Sequence, residues 1–593
     1  STLQLFNSST SRAWRILRIG YTSTGKGPAP ATLRGLECDK LSKRGLDAHW
    51  PHMPRVLLDT PGAKGTVVLS LIDSYEVGGQ NWTEGFAEEF QKRRGYDLTP
   101  YLPVFAGFVV DDAGTTARAL YDIQLTVADL IAENYFAHYS ELCHREGVKA
   151  STEAYGGAYD SLRVAGLADL PTGELWIGGK YEDSLKMASS AAHVHGVRLT
   201  ESETFTTEFA EGRWQITPHE LKVWGDVAWL NGVNSIIYHS YAHQPVKAKP
   251  GISLGRHGTQ LNRNSTWWPE MKYWSEYVRR GQELLRFGSP AADLLVVADE
   301  GRPNLWHGAK PPVADDYHFD WTSAYDFRQM ECRGKGVGLK GGATYPAVFL
   351  TGWYYSTATL RKIEALAKAG VKIAGPRPVD TPTLADDVVA WRQVRDRIWG
   401  KVVVETSDPR QALERFGVKP SVVSSPQLAS IRREGTDGTK VFFVVNRTKK
   451  PFKGPVAFAA EGAGEIRNCV DGTSTSFDGT LDLPPDGSAF VVFGPRVVAG
   501  RGVLPTQDTF FDLSTDWTIT SFSGLAAPAA PLKLSKLIDW TTSSDPKLRY
   551  FSGRATYEKT IDLSSHISHP SSLLPPSSSL TLDLGEVHDI VNV

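Results

Sequence analysis

Cysteine is scarce in this sequence, which has four such residues among 593 and no CxxC spacing. Neither a disulfide framework nor a cysteine-rich zinc site is therefore indicated. Long apolar runs are also missing, since no uninterrupted stretch approaches the roughly 20 residues that span a bilayer. We expect no membrane partner. The first residues lack the charged and long apolar regions typical of a signal peptide. We nevertheless expect a secreted or extracytoplasmic location, which N-x-S/T sequons permit at Asn7, Asn81, Asn264 and Asn446.

A strong charge of one sign is absent as well. The formal net charge is −2, and Lys and Arg form no blocks interleaved with aromatic residues, so no nucleic-acid partner is expected. By contrast, apolar residues make up 41% of the 593 positions, which predicts sizeable cores in three or four domains. Tryptophan is abundant, with 17 residues, and such rings either stack on sugars or pack in cores.

The first half of the chain alternates short apolar runs with helical segments. The strand candidates are WRILRIGY (14–21), the segment around GLECD (35–39), TVVLSLID (66–73), VKASTEAY (148–155), VRLTESETF (197–205) and VNSIIYHSY (233–241). A capping box at 217–220, with Pro218 at the first helical position, opens one of the helices. This alternation predicts an α/β fold with a parallel sheet, and residues 1–290 fit a partial (β/α)8 barrel of the TIM type. A complete barrel needs eight strands, so we expect further strands upstream of residue 1.

The pattern changes after residue 290. Two apolar strands, a helix (TATLRKIEALAKAG) and a further strand predict a small doubly wound, flavodoxin-like α/β domain over 291–405. Short alternating strands with Gly/Pro turns then predict a β-sandwich over 406–500. Residues 501–593 predict a second, galactose-binding-like β-sandwich that is incomplete, with a Ser/Pro-rich loop at 564–579.

Polar residues concentrate where the barrel strands end. Catalytic groups of parallel β/α barrels stand at the carboxyl ends of the strands. A single glutamate there is often a salt-bridge partner, but consecutive strands that all deliver carboxylates to one rim indicate function. Hydrolysis of a glycosidic bond requires such carboxylates, one as proton donor and another to activate water or attack the sugar. The rim candidates are Asp73, Glu76, Glu153, Glu201, Glu203, His239 and His243.

Other cofactor patterns are weaker. Residues 336–341 match GxGxxG, but a strand rather than a helix follows them, which disfavours a dinucleotide site. The pairs His239/His243 and His193/His195 have no matched third ligand nearby for zinc. A carboxylate-rich rim suits Ca²⁺ better, because this hard cation prefers oxygen ligands.

The segment IDSYEVGGQNWTEGFAEEFQKRRGYDLTPYLP resembles the signature of glycoside hydrolase family 106, the α-L-rhamnosidases and their relatives. The similarity continues through LRIGYTSTG, RGLECDKLSK, DLPTGELW, ESETFTT, HSYAHQP and LNRNSTWW. It reaches the segment TLRKIEALAKAGVKIAGPRP and the tail segments LRYFSGRATYEKTIDL and LDLGEVHDI, and so covers most of the chain. Members of the family are usually much longer, with more barrel upstream and a completed β-sandwich downstream.

The resemblance implies an inverting mechanism with two glutamates and a calcium ion that engages the sugar hydroxyls. It selects Glu76 as general acid and Glu203 as general base, with the reverse assignment left open, and it points to Glu174 as the metal ligand. Relatives often have a small residue where this chain has Glu201, which we expect beneath Glu203 on the same strand face, raising its pKa. The residues expected to contact substrate are Asp73, Tyr75, Glu153, His239, His243, Asn262 and Trp267.

The predicted function is thus cleavage of terminal α-L-rhamnosyl residues from a rhamnose-containing oligosaccharide, polysaccharide or glycoside. Two alternatives stay open at this point. The chain could be a hydrolase or lyase for another sugar, because a fold and its rim carboxylates do not identify the glycone. It could also be a truncated carbohydrate-binding protein without turnover.

Overall fold

The first half of the chain forms a parallel sheet in a computed structural model. The structure describes residues 17–27, 35–208, 212, 214–253, 255, 257–302, 317–423, 425–495, 512–562, 582 and 584. The sheet has five strands, which are β1 Leu69–Ile72, β2 Lys149–Glu153, β3 Leu170–Trp176, β4 Glu201–Thr206 and β5 Ser235–Tyr238. They lie side by side in chain order, each parallel to the next. Sequential parallel neighbours are the arrangement of a β/α barrel, which confirms the predicted fold class.

Helices connect and cover these strands. They span Lys43–His49, Pro54–Leu58, Phe86–Arg94, Ala113–Leu130, His138–Arg145, Ser161–Ala165, Glu182–His195, Pro218–Leu230 and Met271–Leu285, with a π-helical turn at Ile131–Ala137 and 3-10 turns at Trp50–His52, Thr99–Ala106 and Trp268–Glu270. The capping box is formed, because Thr217 and Glu220 satisfy each other's backbone N–H groups. None of the helices in the described part combines the length and apolar character that crossing a bilayer requires.

Two predicted N-terminal strands are wrong within the described residues. Positions 17–21 of WRILRIGY and 36–39 of the GLECD segment have no strand conformation. Their apolar side chains are exposed, with Leu17 at 38% and Leu36 at 64%. A strand forms only where a neighbouring ladder satisfies its backbone groups, and β1 pairs with β2 alone among the described strands.

The second unit is a parallel α/β sheet. Its region contains β6 Ser289–Pro290, β7 Leu294–Val297, β8 Phe319–Thr322, β9 Glu331–Arg333, β10 Gly336–Gly338, β11 Ala347–Leu350, β12 Lys372–Gly375 and β13 Val404–Glu405, with helices at Ala324–Gln329, Thr357–Lys368, Val388–Ile398 and Pro409–Arg415. The sheet order is β13-β12-β11-β7-β8, all parallel. Counted along the chain this is the 2-1-3-4-5 order of doubly wound flavodoxin-like sheets. The GxGxxG segment begins in the antiparallel hairpin β9–β10.

The C-terminal part is antiparallel. Its strands are β14 Val422–Val423, β15 Leu428–Glu434, β16 Lys440–Asn446, β17 Phe452–Pro455, β18 Ala457–Phe458, β19 Gly464–Arg467, β20 Ser474–Phe477, β21 Thr480–Leu483, β22 Ser488–Phe493, β23 Thr515–Leu525, β24 Leu532–Lys536 and β25 Ser552–Glu558, with a 3-10 turn at Trp540–Thr542 and a short helix at Pro546–Arg549. Alternate side chains of β16 face opposite sides. Phe443 packs with Trp229 of the barrel, whereas Phe442 packs with residues of the other C-terminal strands. The Ser/Pro-rich segment 564–579 lies outside the described residues.

Candidate active site

The carboxyl ends of the barrel strands bring carboxylates from four strands together. Asp73 follows β1, Glu153 ends β2, Glu174 lies in β3 and Glu203 lies in β4. Glu174 and Glu203 are direct neighbours in the register of β3 and β4. Oxygen atoms of Asp73, Glu153 and Glu203 lie within 4.8 Å of one another. The rim predicted from the strand ends is therefore a single pocket of acidic groups.

Glu153 lies deepest in this pocket, with 1% of its surface exposed. Its Oε2 accepts hydrogen bonds from the Ser74 hydroxyl at 2.8 Å and the Tyr155 hydroxyl at 2.9 Å. Its Oε1 is buried and has no partner among the described residues. Burial, together with the nearby charges of Asp73 and Glu203, raises the pKa of Glu153 to about 9. Without a cation, this carboxyl is held protonated at neutral pH.

Tyr155 links two of the glutamates. Its hydroxyl lies within hydrogen-bonding distance of Glu153 and also of Glu174, and the indole N–H of Trp176 donates to the other oxygen of Glu174. A phenol has one proton to donate, so only one of the two carboxyls can receive it at a time. Burial raises the pKa of Glu174, while the Tyr155 and Trp176 donors oppose that rise.

Glu203 is the half-buried member of the set. Its Oε1 accepts from the Thr206 hydroxyl at 3.3 Å and lies 3.9 Å from Nδ1 of His239. Burial raises the pKa of Glu203 to about 7, helped by the charges of Glu174, Asp73 and Glu76. Glu76 is exposed at the rim, yet its charge acts on Glu203. Of the two predicted catalytic glutamates, Glu76 is thus exposed just after β1 and Glu203 is half-buried in β4.

Glu201 lies beneath Glu203 on the same strand, as the alternation predicts. It is buried and contacts the hydroxyls of Ser235 at 3.4 Å and Ser151 at 3.5 Å. The carboxylates that chiefly raise the pKa of Glu203 are nevertheless those of Glu174, Asp73 and Glu76. The pKa of Glu203 is therefore raised by burial and the carboxylates at the barrel rim and not, as expected, by Glu201.

The two histidines that follow β5 lie in different surroundings. Nδ1 of His239 lies 3.0 Å from the Thr206 hydroxyl, inside the pocket, and burial lowers the pKa of His239. His243 is exposed in the following loop. Only His239 of the pair is placed beside the carboxylates by a described contact.

Three residues predicted to contact substrate lie in the packed interior instead. Tyr75 is 9% exposed and packs edge-on against Tyr159 at 5.5 Å, because neighbouring positions of the extended segment point to opposite sides. The side-chain carbonyl of Asn262 accepts the Asn264 backbone N–H at 3.0 Å and so holds a turn. The indole of Trp267 donates to the Ile216 carbonyl at 2.9 Å within the core. These contacts give each of the three side chains a partner within the protein, and their role in substrate binding stays a prediction.

The sequence reasoning missed several residues that the structure places here, namely Ser74, Tyr155, Trp176, Lys180 and Thr206. A signal existed for two of them. Tyr155 and Trp176 each stand two positions after a rim glutamate, and residues i and i+2 of an extended strand share a face. Ser74 and Thr206 carried no such signal, because hydroxyl residues are common at strand ends.

The acidic pocket contains the oxygen ligands that a hard cation requires. Ca²⁺ binds oxygen ligands at about 2.3–2.6 Å, so oxygens on opposite sides of one ion stand about 5 Å apart. The spacing of Asp73, Glu153 and Glu203, within 4.8 Å, suits this, and the unpartnered Oε1 of Glu153 is an open ligand atom. Both oxygens of Glu174, the ligand implied by the resemblance, lie within hydrogen-bonding distance of a donor, Tyr155 for one and Trp176 for the other.

Comparison with known proteins places the chain among carbohydrate-active enzymes. A model of the alpha-L-rhamnosidase family, glycoside hydrolase family 106, matches residues 6–477. A protein of Formosa agariphila named "Putative beta-glucuronidase" is 36% identical over 508 residues, covering 81% of this chain and 43% of its own length. The structure of a rhamnosidase from Novosphingobium sp. PP1Y superposes with a TM-score of 0.79 at 27% identity, covering 90% of this chain and 55% of the other. The chain thus spans about half the length of these relatives.

Proposed function

The chain belongs to glycoside hydrolase family 106, and on that premise we propose that it removes terminal α-L-rhamnosyl residues from glycans or glycosides by an inverting acid/base mechanism. The observation that carries this proposal is the carboxylate cluster of Asp73, Glu153 and Glu203 at the barrel rim, where the charge of Glu76 also acts on Glu203. The family match and the rhamnosidase fold support the glycone.

Glu76 acts as general acid and Glu203 as general base in this proposal. Glu76 is exposed at the mouth of the pocket, where a leaving group departs, so its proton passes to the glycosidic oxygen as that bond breaks. Glu203 lies deeper and accepts a proton from the water that attacks the anomeric carbon. Inversion requires about 6.5–9.5 Å between the two carboxyl groups, which leaves room for this water.

Ca²⁺ is proposed as the cofactor, with Asp73 and Glu153 as ligands and Glu174 and Glu203 beside them. The open Oε1 of Glu153 and the mutual repulsion of the carboxylates support a cation here. When bound, the ion would neutralise this charge and hold sugar hydroxyls. The protein's own side chains orient the carboxyl groups: Tyr155 and Ser74 orient Glu153, and Trp176 orients Glu174.

A second glycone is favoured by one observation, the name of the Formosa agariphila relative. A β-D-glucuronide is therefore the alternative substrate, and sugar binding without turnover is the third outcome. The natural substrate is expected to be a rhamnose-containing glycan that is degraded outside the cytoplasm.

The test is hydrolysis of aryl α-L-rhamnoside and aryl β-D-glucuronide, with and without EDTA. We expect release from the rhamnoside alone, an inverted anomer of the free sugar in the first minutes by proton NMR, and loss of activity with EDTA that Ca²⁺ restores. Preferential cleavage of the glucuronide would overturn the glycone, and a retained anomer would overturn the mechanism. Saturable rhamnose binding without hydrolysis would establish the non-catalytic alternative.

A further inference from the structure

A lysine stands on an aromatic shelf just beyond the carboxylate pocket. After β3 the chain makes a tight turn, in which the Trp176 N–H donates to the Lys180 carbonyl at 3.1 Å and the Gly179 N–H donates to the Trp176 carbonyl at 3.0 Å. Gly178 and Gly179 adopt the positive φ angles that this turn needs, 100° and 89°. The ammonium of Lys180 then lies 3.8 Å from the centre of the Trp176 ring and 5.0 Å from that of Tyr181.

This shelf is continuous with the active site. Trp176 donates its indole proton to Glu174, and the positive charge of Lys180 acts on the same carboxyl. Tyr181 packs 5.7 Å from Tyr155, which bonds both Glu153 and Glu174. Tyr181 keeps 37% of its surface exposed. A sugar that extends out of the pocket on this side therefore meets an aromatic surface with a cation on it.

The ammonium group of Lys180 makes only a weak ion pair within the protein. Its ammonium lies 3.7 Å from Glu208, beyond hydrogen-bonding distance, and its side chain is 50% exposed. Glu208 is shared with His257, whose Nδ1 lies 3.4 Å from the other oxygen. An exposed ion pair of this kind exchanges readily with an external anion.

We propose that Lys180 selects substrates whose leaving-group sugar carries a carboxylate, a uronic acid, with Tyr181 supporting that sugar. The inference rests on the proposed function and adds to it the class of the neighbouring sugar. The carboxylates of Asp73, Glu153 and Glu203 offer a uronate no positively charged partner among the protein's own side chains. Lys180, whose charge acts on Glu174 at the edge of this pocket, is a cation placed to meet such a carboxylate.

The test uses two substrates that differ only in charge, a rhamnosyl-uronic acid disaccharide and its methyl ester. The quantity measured is the ratio of kcat/KM for the acid to kcat/KM for the ester. In Lys180→Met, which keeps the stem length over Trp176, we expect this ratio to fall about fivefold, the size of a partly exposed charge pair. In Glu208→Gln, the matched variant that removes the competing anion, we expect the ratio to rise. Added salt should lower the ratio in the wild-type protein.

The outcomes separate the two proposals. An equal loss on both substrates in Lys180→Met, or an unchanged ratio, would show that Lys180 only supports the turn and would overturn the specificity role. Failure of the wild-type protein to cleave either disaccharide would overturn the proposed function instead. In that case calorimetric binding of the same pair to wild type and Lys180→Met decides the inference, which fails if the methyl ester binds as tightly as the acid.

Discussion

Two groups of acidic side chains in this molecule have opposite surroundings. At the barrel rim Asp73, Glu153 and Glu203 lie within 4.8 Å of one another. On the outside of the barrel, Asp129 and Glu133 face three arginines. Arg93 binds Glu133 with two hydrogen bonds of 3.0 and 2.7 Å, Arg163 bonds Asp129 at 2.5 Å and Glu133 at 3.0 Å, and Arg94 also bonds Asp129. These arginine-paired residues line a cavity of about 320 Å³ beside the α/β unit.

The pKa values of two glutamates express the difference. Burial alone would raise the pKa of Glu133, but Arg93 and Arg163 overcome it and the pKa is lowered. Burial also raises the pKa of Glu153, and there the neighbours are carboxylates, so it reaches about 9. Carboxyls paired with arginine hold secondary-structure elements together. Carboxyls without such partners remain available to bind a proton, a cation or a substrate.

The largest expected effect is on catalysis. Glu203→Gln removes the proposed base, so kcat on aryl α-L-rhamnoside should fall about 10²–10⁴-fold with an unchanged circular dichroism spectrum. Glu201→Gln is the matched control, two residues earlier on the same strand, and should keep activity within about threefold, since the Ser235 and Ser151 hydroxyls can also pair with an amide. Similar losses in both variants would mean that the strand, rather than Glu203, is responsible.

The arginine-paired group should respond in stability instead. Asp129→Asn leaves Arg94 without its carboxylate and Arg163 with Glu133 alone, and breaking a largely buried pair in this way costs up to about 3–5 kcal/mol. The midpoint of urea unfolding should therefore fall. Glu89→Gln, at the more exposed end of the same network beside Arg93, should cost less than about 1 kcal/mol. A midpoint unchanged by Asp129→Asn would refute the contrast drawn here.

Glu153→Gln should increase the stability of the protein, whereas Asp129→Asn should decrease it. Between the unfolded pKa of about 4.3 and the folded pKa of about 9, the unfolded state loses this proton and the folded state keeps it. Stability therefore declines as pH rises through this window. The amide variant escapes that decline and should gain on the order of 3 kcal/mol at pH 7 and little near pH 4. Urea unfolding at both pH values in EDTA provides the check, and a loss of stability at pH 7 would contradict the raised pKa of Glu153.

The smallest expected effect is a shift in pH dependence. A base must be ionised to act, so kcat/KM should fall as the pH drops below about 7, the pKa of Glu203. Asp73→Asn removes a charge that raises this pKa, and the pKa of Glu203 should move down by up to about one unit. Titration of Glu203 in both proteins in EDTA, followed by carbon NMR of its carboxyl, measures the shift without requiring turnover. A pKa that stays in place would remove Asp73 from the electrostatics of Glu203.

Much of the pocket followed from local patterns. Strands β1, β2 and β5 lie inside apolar segments identified in the sequence, and β4 passes the end of its segment by one residue. Their ends carry Asp73, Glu153 and Glu203 because parallel strands expose their carboxyl ends at one edge. The expected strands around WRILRIGY and GLECD failed for a related reason. Apolar alternation marks a segment that can pair, but it does not provide the neighbouring ladder.

The sequence by itself determined the fold class, the family and the rim carboxylates, since periodicity and a local motif are properties of contiguous residues. Only the tertiary structure decided which polar and aromatic side chains reach the pocket. Tyr75, Asn262 and Trp267 are buried in packing or turns, while Tyr155 spans two glutamates from neighbouring strands. Burial and the identity of neighbours across strands also set whether a carboxyl is paired with arginine or with another carboxyl. Both depend on contacts between residues far apart in the chain, which no local pattern contains.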